Sequence, residues 1–330
     1  MDIRFKGRIP AAAVLALALL FFSAAAPSFA QQGGLVLQAA EATTAATSAM
    51  ILSATRAGRR IVAVGDHGII LLSDDDGATF RQAKAVPVRC ALTAVTFTNE
   101  RKGWAAGQWG VILSTEDGGE HWQVQRADTS VDQPLFSIYF KDDQHGWAVG
   151  LWSLMLATTD GGKTWNTTKL PAPPDGGKAD RNLFRIFANA RGTLFVAAEQ
   201  GTVLRSDDLG ATWTYLTTGY KGTFWSGIAL ADGTVVVGGL RGTVYHSADD
   251  GRSWQPSRSS TNSSVTDFVL IRKKIVATGL DGTVLESTDG GKTFTASQRT
   301  DRLSLTAAVA TNAGKLVVFS KNGLVAPEPK

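Results

Sequence analysis

The sequence has one cysteine, Cys90, in 330 residues, so no internal disulfide is open to it and the fold must hold by packing and hydrogen bonding. Histidine is scarce as well: His67, His121, His145 and His246 stand at no metal-ligand spacing. A large excess of one sign of charge is missing too: 33 Lys and Arg stand against 29 Asp and Glu. The formal net charge is +4, and Arg4, Lys6 and Arg8 against Asp2 account for half of it, which excludes a strong electrostatic pull on nucleic acid. Past the first thirty residues no apolar run approaches the 18 or so residues of a membrane-crossing helix. Helical periodicity is missing throughout, and no glycine-rich loop opens a helix to cradle a phosphate.

What is present is glycine, 35 residues against 10 prolines, and repetition. The chain opens with a basic start, an apolar segment over residues 11–22 and the small residues Ser28 and Ala30, the pattern of an export signal removed near Ala30. An uncleaved anchor is the alternative. Beyond it an eight-residue box recurs: SDDDGATF (73–80), TEDGGEHW (115–122), TTDGGKTW (158–165), SDDLGATW (206–213), SADDGRSW (247–254) and STDGGKTF (287–294). Its acids, Asp75, Asp117, Asp160, Asp208, Asp249 and Asp289, are separated by 42, 43, 48, 41 and 40 residues.

Each unit also carries an apolar segment, then a small residue followed three positions later by Gly or Ser, as in AGQWG and VGLWS. That second signature occurs seven times. Strand, strand, tight turn, strand, box and strand make four strands per unit of about 40 residues, the size of a propeller blade. The expected fold is all-β: a seven-bladed β-propeller of four-stranded antiparallel blades, with blades near residues 49–87, 90–127, 134–170, 182–219, 223–258, 263–299 and 303–326. The last unit has three strands and no box, so residues 34–40 are expected to complete it as an N-terminal strand that joins the two ends of the chain. A six-bladed ring is the alternative.

The box is expected to hold up turns and not to carry chemistry. Its Asp accepts hydrogen bonds from its own turn, Gly two residues later tolerates positive φ, and Trp or Phe packs between units. An active site is built once, whereas this kit appears six times. The triple acid at 74–76 lacks the bidentate Glu of an EF-hand loop and reads as a solvated turn. Cys90 reads as a small buried hydrophobe and His121, in a box Thr position, as a turn partner.

These boxes match the Asp-box, or bacterial neuraminidase repeat, and GWAAGQWGVILSTEDGGEHW with GWAVGLWSLMLATTDGGKTW resembles the photosystem II stability and assembly factor family over about residues 34–326. The resemblance implies an exported, seven-bladed, non-catalytic propeller without cofactors. It implies a protein partner in a membrane or envelope complex, and a chain that is a monomer by itself.

A sialidase-like glycosidase or carbohydrate-binding propeller is the alternative. It needs three arginines, a Tyr paired with Glu, and an acid at the ring axis. The segments expected innermost supply only Arg185, Tyr139 and Asp267, too few for two-carboxylate chemistry. FRIF at 184–187 resembles the sialidase FRIP motif but lacks its Pro and its place before the first box. Binding is the stronger reading, at the turn between second and third strands, which carries His67, Trp109, Trp152 and Arg241, with Gln200, Asp281 and Asn322 in the remaining blades. Arg185, Asp267 and Tyr139 form a second candidate in the channel, and Trp225 fits either place.

Overall fold

The computed structural model describes residues 37–326; the expected leader over 1–30 lies outside them. Seven sheets follow one another along the chain, antiparallel except for the short strand Arg258–Ser259, which adds in parallel to the edge of the sixth, and this excludes the six-bladed alternative. Their first strands are Ile51–Ala57, Leu92–Phe97, Leu135–Phe140, Leu183–Ala188, Phe224–Ala229, Val265–Ile271 and Leu305–Ala310, the segments expected innermost. Each packs against its counterpart in the next blade, and the last, Leu305–Ala310, packs back on Ile51–Ala57, closing the ring. The molecule is a seven-bladed β-propeller.

The second strands explain why the hydrophobic pattern loses its alternation in mid-unit. Gly103–Gly107, Gly146–Gly150, Leu194–Ala198 and Val235–Gly239 are buried at every residue, because blades stack face to face and cover both sides of the strand. Small and β-branched residues fit that sandwich. Trp104 fills what the small ones leave, stacked on Phe140 of the next blade at 3.5 Å between ring centres.

The boxes do what their composition predicts. In the first, the Asp75 carboxylate accepts from the Ser73 hydroxyl (2.8 Å), the Thr79 amide (2.9 Å) and the Thr79 hydroxyl (2.6 Å). In the second, His121 replaces that hydroxyl with a ring nitrogen 2.7 Å from Asp117. The box glycine serves two ends at once: Gly291 has φ +82°, and a Cβ there would come within 2.5 Å of Val236 in the preceding blade. Boxes therefore lie on their neighbours, and the aromatic that follows each seals the seam. Blade 1 does this to blade 7, with Gly77 against Val317 and Phe80 edge-on to Phe319. The acid after Asp75 joins in: Asp76, expected merely to be solvated, accepts from the amides of Asn312 (2.7 Å) and Ala313 (3.1 Å) in blade 7.

The expected N-terminal latch is not where blade 7 needs it. Residues 34–36 of the segment lie outside the described residues. Leu37–Ala40 forms no strand: Leu37 packs on the cluster between blades 1 and 2, and the Ala40 amide donates to Val86. The apolar cluster at that seam captures Leu37, and among the described residues blade 7 has three strands. The ring closes through blade 1's box and through the turn Ala46–Ser48, which lies against Gly323.

Candidate functional site

Antiparallel order sorts the loops between two faces of the ring. Turns between second and third strands share one face with the linkers between blades; the boxes share the other with the first hairpins. Backbone bonds confirm the first grouping blade by blade. Gln108 donates to Ala91, Leu151 to Pro134 and Leu240 to Thr223, each tying a turn to the start of its own first strand.

These turns hold side chains in a conformation that glycine takes more easily. His67, Trp109, Trp152, Gln200, Arg241 and Asp281 all have φ between +51° and +59°. A bulky residue there costs about 1 kcal/mol or more. The seventh expected position, Asn322, has ordinary φ, and Gly323 takes the left-handed place instead. Blade 3 goes furthest: Ser153, where other blades have Gly, is also left-handed at +56°. Elsewhere a Cβ at that position would strike the linker, as at Gly68, 2.0 Å from the Val88 carbonyl oxygen. Here the linker instead meets Ser153, whose amide (2.8 Å) and hydroxyl (3.0 Å) donate to the Arg181 carbonyl. Asn182 accepts from the Trp152 amide at 3.1 Å and is itself bound through Nδ2 by Glu199 at 2.9 Å. Trp152 is thus presented on a fixed turn with 56% of its surface exposed.

Trp109 takes the other course. It is half-buried against the cluster between blades 1 and 2, beside a cavity of about 330 Å³ that it lines with His67, Arg89, Cys90 and Leu37. Burial pushes the Cys90 thiol up to about 11, consistent with an inert packing role. Arg241 is exposed, its amide donating to Ser264 at 3.1 Å.

A second row of side chains stands on the same face. Every first strand has a bulge at its second residue, which swings that residue out of the ladder near the ring axis. In blades 2, 6 and 7 the bulge residue is Thr93, Thr266 or Thr306, and its hydroxyl donates to a carbonyl of the next blade. In blades 3, 4 and 5 it is aromatic. Phe136 and Phe184 stack with centres 5.4 Å apart and planes 7° from parallel, and Trp225 follows in blade 5; all three are partly exposed. Phe136 and Phe184 escaped the sequence reading, though the signal was there: three successive units place an aromatic one residue after the buried start of the first strand.

Of the channel candidates, the structure brings Arg185 and Asp267 together. Arg185 Nη2 lies 3.8 Å from Asp267 Oδ1, with 35% and 9% of the two side chains exposed. Arg185 and Tyr139 line a cavity of about 200 Å³ between the first strands of blades 1 to 4. Asp267 accepts from the amides of Phe268 (2.9 Å) and Ala308 (3.2 Å), and burial raises its pKa against the pull of Arg185. These bonds make it a tie between blades 6 and 7. Among the described residues no three His, Cys, Asp or Glu side chains gather as a metal site.

Seven sheets, six Asp-boxes and one face of constrained aromatic turns define an Asp-box propeller that presents side chains from loops. Residues 84–226 match the family model of photosynthesis system II assembly factor YCF48. The solved structure of YCF48 bound to D1 peptide aligns with a TM-score of 0.65 at 17% identity, over 87% of this chain and 94% of that one. YCF48 from Cyanidioschyzon merolae aligns with a TM-score of 0.66 at 15% identity, over 84% and 94%. No curated protein matches the sequence. Over residues 84–226 the chain is thus similar to the photosystem II assembly factor family, and over most of its length it shares the propeller fold of these structures.

Proposed function

We propose that this protein is an exported, non-catalytic propeller that binds a protein partner, as a scaffold or assembly factor for a membrane or envelope complex. The observation that carries the reading is the row of Trp152, Phe136, Phe184 and Trp225 along one face of blades 3 to 5, in a chain whose residues 84–226 match the family model of an assembly factor. Aromatics held rigid on strand bulges and a fixed turn lose little entropy on contact and are among the side chains that dominate protein interfaces. A structure of YCF48 with a bound D1 peptide makes peptide binding a natural expectation for this frame. Export is supported by the basic and apolar start of the sequence, and the low net charge argues against nucleic acid as the ligand. We take the chain to be a monomer until its partner binds, and to need no cofactor. Among the described residues no helix is long and apolar enough to cross a membrane.

Co-purification from membranes of the native organism tests the reading. A Trp152→Ala, Trp225→Ala double variant is expected to lose the partner that the native chain recovers, with unchanged thermal unfolding. Equal recovery by both would remove this face as the binding surface, and hydrolysis of a sialoside or other glycan by the pure protein would overturn the non-catalytic reading.

A further inference from the structure

Six of the seven seams between blades are sealed by the aromatic that ends a box: Trp122, Trp165, Trp213, Trp254, Phe294 and, where the ring closes, Phe80. Among the described residues the seam between blades 6 and 7 has no ring. Its cluster consists of Leu305, Ala308, Val318 and Val325, with Val284 and Leu316 among the half-buried residues at its border. Blade 7 carries no box to supply one, and its last strand among the described residues is Gly323–Leu324. At that place a cavity of about 580 Å³ opens, between the end of the strand Thr293–Gln298 in blade 6, the edge of blade 7 and Gly77 and Ala78 of blade 1. The Val325 amide donates inward to Val318. Alternation along a strand therefore turns the amide and carbonyl of Leu324 outward, into the slot.

We propose that the slot takes an extended segment of a protein partner, which adds to blade 7 as its fourth strand and inserts an aromatic side chain where six other blades place their own. The chemistry of the occupant follows from the seam used six times over: main-chain pairing along an edge, and one ring set into an apolar hole beside Val284 and Val318. The chain's own nearest candidates are spent or unsuited. Leu37–Ala40 is held between blades 1 and 2, and Pro327 and Pro329, which follow Ala326, lack the amide a paired strand needs. The proposal rests on the protein-binding reading above and adds to it a second surface, on the rim of the ring.

The test titrates the full chain with a synthetic peptide of residues 290–299 (GGKTFTASQR), which spans the fourth strand of blade 6, and with the same peptide carrying Phe294→Ala. Amide hydrogen exchange at Leu324 is the readout. At millimolar peptide the first should slow exchange about tenfold or more and the second less than about twofold, with the effect lost in a Val284→Glu chain that melts at the native temperature. No slowing by either peptide, or equal slowing by both, overturns the proposal. So does a Leu324 amide already as protected as Val318 in the chain alone and released by deletion of residues 31–36, since the slot would then be filled in cis. Partner recovery through Trp152 and Trp225 is read separately, so failure of either surface leaves the other test intact.

Discussion

A carboxylate gathered by the donors of its own turn stays ionised in acid that would protonate it in the unfolded chain. The Thr79 hydroxyl, then its amide and the Ser73 hydroxyl, hold Asp75 down to about 2, and Asp208 is held to about 2 by the equivalent Thr212 and Ser206. Asp160, Asp249 and Asp289 reach about 2 as well, the last two against a burial that pulls the other way. Because the folded value lies below the ordinary 3.8, the unfolded state binds protons first as pH falls. The boxes contribute in full above about pH 4, and their contribution drains away as pH falls through 2. Melting temperature should thus be nearly flat from pH 6 to about 4.5 and drop steeply between about 4 and 2. A flat profile through that lower window would mean that the box bonds do not stabilise the fold. The box chemistry was legible in the sequence because each bond is local, made within five residues of the acid. The left-handed turns were less so: six blades place side chains as different as His67 and Asp281 at a similar positive φ, so residue type does not announce the conformation there.

Elements are held to one another by the box aromatics, and this separates the tryptophans into two kinds. Trp213, 6% exposed, sits in the cluster between blades 3 and 4 and donates to its own box at Gly210 (3.1 Å). Trp213→Ala should cost about 3–5 kcal/mol in denaturant unfolding. Trp152→Ala should change stability by less than about 0.5 kcal/mol, because its ring covers nothing that must stay dry. Equal losses at both sites would contradict the division between seam and surface. The strands themselves could be read from apolar segments and their spacing, but residues 34–40 could not be placed that way. Leu37 is as well served by the apolar seam of blades 1 and 2 as by an edge strand of blade 7, and only tertiary packing decides between them. The bulges that project Phe136, Phe184 and Trp225 are likewise invisible until two strands are set in register.

At the scale of the whole molecule the ring is asymmetric in a way that seven similar units do not announce. Polar ties mark the bulge positions of blades 2, 6 and 7, whereas aromatics occupy those of blades 3, 4 and 5, on the same face as Trp152. The frame explains the repeats, and the departures from the repeat are where we propose that a partner fits. Seven units and an Asp-box class could be read from spacing alone; the aromatic arc needed the ring to close before its members became neighbours.

The central claim is that the turn face of blade 3 meets a protein and the box face does not. Photocrosslinking in intact cells tests it directly, with a photoreactive residue placed at Trp152 in one variant and, in the other, at Lys163, which is exposed in the box of the same blade on the opposite face. The account predicts a discrete crosslinked protein from position 152 and none from 163. Capture of that protein from 163 alone, or equally from both positions, would contradict it.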